Sequence, residues 1–123
     1  MAARVGNITL DCNDVLKIAG FWSGVLGRPL DSHSDSGFAS IGCDDPERVE
    51  PAWFFERVPE SKVAKNRVHV DLVDTDPHAI EQLLLLGASF VAQHAIGTTG
   101  PRWAVLQDPE GNEFCVSAKS FTG

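Results

Sequence analysis

The sequence predicts an α+β protein in which one architectural unit occurs twice: a strand, a helix and then about three strands, in roughly 60 residues. Three observations carry that expectation. Asn7 stands seven residues before Asp14, and His69 stands seven before Asp76, so a strand start and a helix start recur at one spacing. Leu26-Gly27 and Leu86-Gly87 give the two helices the same ending. The net charge of -7 is shared rather than held in a tail, with five basic and nine acidic residues in 1–59 and five and eight in 60–123. A chain of 123 residues fits one domain built from those two modules, and is too short for separate cofactor and substrate domains.

Each element has a local reason. Residues 7–12 alternate polar and apolar side chains, as a half-buried strand does. Asn13-Asp14 offers a helix N-cap, and Val15, Ile18, Ala19, Trp22, Val25 and Leu26 recur at helical spacing. Gly27 supplies a left-handed C-cap and Pro29 enforces the exit. Gly20 and Gly24 each weaken this helix by about 1 kcal/mol relative to Ala, so packing has to hold it. Residues 33–36 read as a polar turn, 38–41 as a short strand, 43–48 as a loop and 52–58 as a strand, with 59–66 a connector. The pattern then restarts with a strand at 68–73. Asp74-Thr75-Asp76-Pro77 begins a helix with Pro77 at its first position, and Ala79, Ile80, Leu83, Leu84 and Leu86 form its inner face. Strands at 89–93, 102–107 and 113–118 follow, divided by a Gly-rich loop at 96–101 and a tight turn at 108–112. Asp108 and Asn112 are expected to hydrogen-bond their own turn backbone.

Several function classes are disfavoured. The acidic balance argues against nucleic acid, whose phosphates need clustered Lys and Arg. No Gly-x-Gly-x-x-Gly run follows a strand, and Gly97-Thr98-Thr99-Gly100 lacks the Lys-Ser/Thr of a phosphate loop and precedes a strand. The near-apolar run from Leu83 to Ala88 is far short of the ~20 residues of a membrane helix, and the N-terminus lacks a signal peptide's apolar stretch. Cys12, Cys43 and Cys115 have no Cys-x-x-Cys spacing, so neither a disulfide framework nor a structural zinc site is expected, and Cys12 and Cys115 read as free core thiols. A cytoplasmic protein with no membrane or nucleic-acid partner is the expectation.

Strand parity sorts the candidate functional residues. Ile8, Leu10 and Cys12 face the first helix, and Val70 and Leu72 the second. Asn7, Thr9 and Asp11, and likewise His69, Asp71 and Val73, occupy the opposite faces, which are either solvated or lined for a ligand. His69 and Asp71 share a side and can form a base held in one tautomer by a carboxylate, although i, i+2 spacing does not guarantee their contact. Asp11 is the counterpart in the first half. Trp53, Phe54, Phe55 and Trp103 are either core or the lining of an apolar pocket with Arg102 near its mouth. Ser32-His33-Ser34-Asp35-Ser36 matches a hydrolytic trio in composition only. His78 reads as exposed, and His94 has no assigned role.

Ile8-x-Leu10 leading to Asp14, then Phe21-Trp22-x-x-x-Leu26-Gly27, resembles the opening of the glyoxalase, bleomycin-resistance and extradiol-dioxygenase superfamily, also called vicinal oxygen chelate. His69 through Asp76, Leu86-Gly87-Ala88 and Asp108-Pro109-Glu110-Gly111-Asn112 resemble its second module. Val58-Pro59-Glu60 with residues 65–72 resembles the glyoxalase-like subgroup. The resemblance covers nearly the whole chain. It implies two βαβββ modules whose paired, curved mixed sheets surround a cavity, with helices on the outer faces, a small-molecule ligand and a homodimer. Metal-dependent relatives take four ligands from the first and last strands of the modules. The matching positions are Asn7, Glu56 (with Phe54 the other same-face candidate), His69 and Cys115.

Asn7 stands where His or Gln is usual in that family, and Cys115 where Glu is usual. The set is no 2-His-1-carboxylate triad, so a cavity without metal is expected, with a divalent metal as the alternative. His69 and Glu56 are the best catalytic candidates. The cavity set is Asn7, Asp11, Phe54, Glu56, His69, Asp71, Trp103 and Cys115. The resemblance implies either an enzyme with lyase, isomerase or dioxygenase-like chemistry, or a binding protein that sequesters an aromatic or cationic compound.

Overall fold

Polar and apolar side chains alternate along β1 (Asn7–Cys12), which exposes Asn7, Thr9 and Asp11 and turns Ile8, Leu10 and Cys12 inward. The computed structural model describes residues 1–73 and 75–118, and β1 opens the first of two units, Met1–Ser61 and Lys62–Gly123. Asp14 caps α1 (Val15–Leu26), its Oδ1 accepting the Lys17 N–H at 3.3 Å. Gly27 closes the helix in the left-handed region at φ 63°, where its N–H reaches the Ser23 carbonyl. The helix buries Val15, Ile18, Ala19, Phe21 and Trp22 and packs on β2 (Phe38–Ile41) and β3 (Ala52–Arg57).

Trp22 stacks on Trp53 with ring centroids 4.9 Å apart, and Phe21 meets Trp22 edge-on at 5.2 Å. Such pairs add about 0.5–1.5 kcal/mol each beyond area burial, which offsets the helical glycines. Trp53 and Phe55 are 6% and 0% exposed, so they form core and do not line a pocket. Phe54 takes the opposite face and is half-buried.

The first sheet has the order β1-β3-β2, with β1 parallel to β3 and β2 antiparallel to it. After α1 the first unit has two strands where about three were expected, and Leu30 adds an isolated bridge to Ile41. Asp31, next in the chain, donates its backbone N–H to the Ser40 carbonyl at 2.8 Å and turns its side chain to the loop N–H groups of Cys43 and Asp44.

The second unit comprises β4 (Asp71–Leu72), α2 (Ala79–Leu86), β5 (Ser89–Ala95), β6 (Arg102–Gln107) and β7 (Glu113–Ala118). Its sheet has the order β4-β7-β6-β5, with β4 parallel to β7 and the other pairs antiparallel. Both sheets therefore follow one rule: the strand before the helix lies parallel to the last strand of its unit. The fold class is the α+β one expected, with one helix and one mixed sheet among the described residues of each unit. Ala104, Leu106, Phe114 and Val116 form the fully buried side of the second sheet.

β3 ends one residue before the expected 58, and three boundaries depart further from expectation. β4 holds two residues, Asp71–Leu72, where 68–73 was expected, and pairs with β7. Val68 and Val73 are exposed, and the Cys115 N–H to the Val70 carbonyl, 2.9 Å, extends the pairing upstream. α2 starts at Ala79 because Asp76-Pro77-His78 forms a turn first, in which Asp76 Oδ1 takes the His78 N–H at 2.7 Å. Asp74, expected to take part in that helix start, lies outside the described residues. β5 extends to Ala95 as the other edge strand, with an irregularity between Phe90 and Ala92. Among the described residues no helix is long and apolar enough to cross a membrane.

Two anchors set the register of β7. The Asp108 carboxylate, 3% exposed, accepts the N–H groups of Glu110 and Asn112 and the Asn112 side-chain amide, as the turn sequence predicts. Glu113 then receives Lys62 Nζ at 3.0 Å and the Asn66 N–H at 2.9 Å. Burial pushes the Glu113 carboxyl up, but the Asn66 N–H and the Lys62 ammonium outweigh it and hold it at about 2.

A folded pKa below the unfolded one means that this stabilisation is complete above 4.5 and is lost as pH falls through about 2. Glu113→Gln is expected to lower stability at pH 7 by about 1–2 kcal/mol and to flatten the loss of stability on acidification. Urea denaturation of both proteins across that acid range measures it, and an unchanged acid profile would contradict the anchor.

Candidate functional site

Pleating places Cys115 and Ser117 of β7, with Trp103 and Val105 of β6, on the face away from the buried side of the second sheet. The parallel pair Asp71↔Cys115 sets the Asp71 carboxylate beside the Cys115 thiol. His69, two residues upstream, returns to the same side. The three groups converge: His69 nitrogen, Asp71 oxygen and Cys115 sulfur lie within 4.8 Å of one another, and His69 Nε2 is 3.4 Å from Asp71 Oδ1. His69 and Asp71 are exposed and Cys115 is half-buried.

The core reading holds for Cys12, which is buried and whose Sγ lies 3.5 Å from the Glu56 carbonyl oxygen, but not for Cys115, whose strand parity turns it to the open face. Burial pushes the Cys115 thiol up, and the charge of Asp71 and its hydrogen bond to the thiol push further, against a smaller pull from Lys65. At neutral pH the sulfur is therefore a thiol that donates to Asp71, and thiolate attack by the unaided chain is disfavoured.

An aromatic surface adjoins this cluster. Trp103 stacks on His94 across the β5–β6 pair, with centroids 5.3 Å apart. Trp103 lies opposite Ser117, one pleat along β7 from Cys115. His94, to which the sequence pattern assigns no role, thereby gains a place on this face. Arg102 alternates onto the other side of β6, away from Trp103.

The remaining candidates stand on the open face of the first sheet. Thr9 pairs with Phe54 and Asp11 with Glu56, so Asn7, Asp11, Phe54 and Glu56 share that face. Asn7 Nδ2 donates to Thr9 Oγ1 at 3.2 Å. Asn7 and Phe54 also line a cavity of about 250 Å³ with Cys43, Arg48 and Glu50. A second cavity, about 380 Å³, lies at the end of α1 against Arg28, Leu30 and Asp44. Of the four family-matching positions, Asn7 and Glu56 belong to the first unit and His69 and Cys115 to the second.

Sequence reasoning missed a polar network beside β2. Ser40 Oγ, 0% exposed, lies 2.5 Å from Asp31 Oδ2 and 2.9 Å from His33 Nε2. The signal for it is slight: a serine inside the otherwise apolar strand Phe38–Ile41, with an aspartate upstream.

A family model described as a glyoxalase-like domain matches residues 7–117. No curated protein matches the chain in sequence. Among solved structures, a glyoxalase/bleomycin resistance protein/dioxygenase family enzyme from Burkholderia phytofirmans PsJN is similar with a TM-score of 0.71 at 17% identity, over 94% of this chain and 98% of that one. A fosfomycin resistance protein, FosX, from Listeria monocytogenes, complexed with Mn(II) and 1S,2S-dihydroxypropylphosphonic acid, gives 0.73 at 14% identity over 98% and 92%. A glyoxalase-related enzyme from Fulvimarina pelagi gives 0.69 at 13% over 94% and 88%. At these identities the likeness is one of fold.

The Asp71–Cys115 contact predicts thiol reactivity. Alkylation of Cys115 by iodoacetamide at pH 7 is expected to be slow and to accelerate severalfold in Asp71→Asn, because the substitution removes the charge that disfavours thiolate. Peptide mass spectrometry over time reads the rate, and equal rates would contradict the contact.

Proposed function

The chain belongs to the glyoxalase-like domain family of the vicinal oxygen chelate superfamily, and from that membership we propose that it is a small-molecule enzyme acting at His69, Asp71 and Cys115 on the open face of its second unit. One observation carries this reading. An imidazole, a carboxylate and a thiol from two ends of one unit share a space small enough for a single ion or ligand oxygen to touch all three.

The superfamily implies a divalent metal, and the donor set fits one. A nitrogen, an oxygen and a sulfur suit an ion of the zinc type with its fourth position open to a ligand. The 3.4 Å between His69 Nε2 and Asp71 Oδ1 matches the edge of a tetrahedron with bonds of ~2.0–2.1 Å. The expectation of a metal-free cavity rests on Asn7 and on Cys115 standing in place of Glu. Asp71, outside that set, brings a carboxylate to His69 and Cys115. The Listeria neighbour was complexed with Mn(II), whereas sulfur in the donor set here favours zinc over manganese.

His69 Nε2, an Asp71 carboxylate oxygen and Cys115 Sγ would hold the ion, which when bound polarises a ligand oxygen as a Lewis acid. The chain's own groups complete the site. Asp71 orients the His69 ring and holds the thiol proton of Cys115 in the apo state. The Trp103–His94 stack offers a flat surface that shields one side of a ligand from water. The same stack favours the second reading, in which the protein binds and sequesters an aromatic compound without turning it over.

Titration with Co(II) separates the readings. The enzyme reading expects one ion per chain, with a cysteine-to-cobalt charge-transfer band that disappears in Cys115→Ser. Affinity should fall on the order of tenfold or more in Asp71→Asn. Absence of cobalt uptake by the unmodified protein would overturn the metal-dependent reading and leave sequestration.

A further inference from the structure

We propose that the first unit carries a second small-molecule site, in which His33 Nδ1 accepts a hydrogen bond from the hydroxyl group of an aromatic compound while Ser40 and Asp31 hold the imidazole from behind. Asp31 is 4% exposed. Its carboxylate takes the Cys43 N–H at 2.9 Å, the Asp44 N–H at 2.8 Å and Ser40 Oγ at 2.5 Å. Burial pushes the Asp31 carboxyl up, but Ser40, the two N–H groups and the Cys43 thiol outweigh it and set it below the ordinary value. Asp31 is thus ionised near neutrality and can only accept.

This fixes the histidine. The Ser40 hydroxyl has one proton, and it goes to Asp31. The 2.9 Å contact between Ser40 Oγ and His33 Nε2 can then only be Nε2–H donating to oxygen. The neutral ring therefore carries its free lone pair on Nδ1. His33 is exposed, and no partner holds Nδ1 among the described residues. Ser40 itself, 0% exposed with its proton engaged, is no nucleophile, so the order Asp–Ser–His differs from the Asp–His–Ser order of acyl transfer. The end of the relay that reaches solvent is a base.

The surroundings define the ligand class. His33 stacks near Phe38 at 6.1 Å, and Phe38 meets Phe54 edge-on at 5.4 Å. Strand parity puts Phe38 and Phe54 on the open face of the sheet, where they form an apolar platform for a flat ring. Asp35 lies close to His33 in the chain, Glu56 lies opposite Phe38, and Asp11 lies opposite Glu56. These carboxylates disfavour an anionic ligand and leave neutral or cationic hydroxylated aromatics. The ligand keeps its O–H bond and donates it to the Nδ1 lone pair, so no anion forms beside these carboxylates. The ring keeps its Nε2–H on Ser40 Oγ, with the Asp31 charge behind it. The site uses none of His69, Asp71 and Cys115, so its failure and that of the cobalt test are independent.

Long-range proton–nitrogen NMR of protein labelled in its histidine rings tests the assignment, with phenol and anisole as probes. At a pH where the ring is neutral, His33 is expected as a single Nε2–H tautomer. Millimolar phenol should shift its Nδ1 resonance, and anisole, which lacks the hydroxyl, should not. Ser40→Ala should release the tautomer and weaken the phenol response severalfold, and Ser40→Thr should restore both. A predominant Nδ1–H form, a tautomer mixture in the unmodified protein, or equal responses to phenol and anisole would overturn the proposal, as would no response to phenol. Should Ser40→Ala fail to fold, Ser40→Thr and the probe pair still decide it.

Discussion

The parallel pairing of the strand before each helix with the last strand of its unit is the constraint on which the rest depends. In the second unit it sets Asp71 against Cys115 and Leu72 against Val116. A slip of one residue would turn Cys115 into the core and Val116 out to the open face. Two polar anchors resist that slip from either side: the buried Asp108 turn joins β7 to β6, and Glu113 ties the start of β7 to Lys62 and Asn66. The residues that matter chemically are held by residues that have no chemistry of their own to perform.

The two units use one scaffold for different faces. In the first, the parallel pair sets Thr9 against Phe54 and Asp11 against Glu56, which brings two carboxylates side by side and no mixed donor cluster. Its polar chemistry sits instead where the segment before β2 folds against Ser40, with Asp31 held by four donors and His33 at the exposed end. In the second unit, nitrogen, oxygen and sulfur donors meet on the sheet itself. The thiol state of Cys115 follows from Asp71 beside it, so one carboxylate both raises the cost of the thiolate and completes a donor set that can take a metal in place of the proton.

What is legible in the sequence is local. The Asp14 cap, the Gly27 ending, the alternation of β1 and the Asp108 turn depend on neighbours a few residues away, and the folded chain keeps all four. The α+β class follows from repeating such local signals at one spacing. Strand parity alone also puts His69 and Asp71 on one side. What is not legible depends on register between distant segments. That Cys115 lies beside Asp71 requires knowing that β7 runs parallel to β4. His33 reads in sequence as a polar turn residue because its partners, Asp31 and Ser40, meet only when the loop closes on β2.

The central claim is that the second unit's open face is a site because His69, Asp71 and Cys115 meet there. Anomalous diffraction at the zinc absorption edge, from crystals grown with a stoichiometric amount of zinc, tests that most directly. The account predicts an anomalous peak within bonding distance of His69 Nε2, an Asp71 carboxylate oxygen and Cys115 Sγ, at about 2.0–2.3 Å from each. A peak confined to other residues, or none at this cluster, would contradict it.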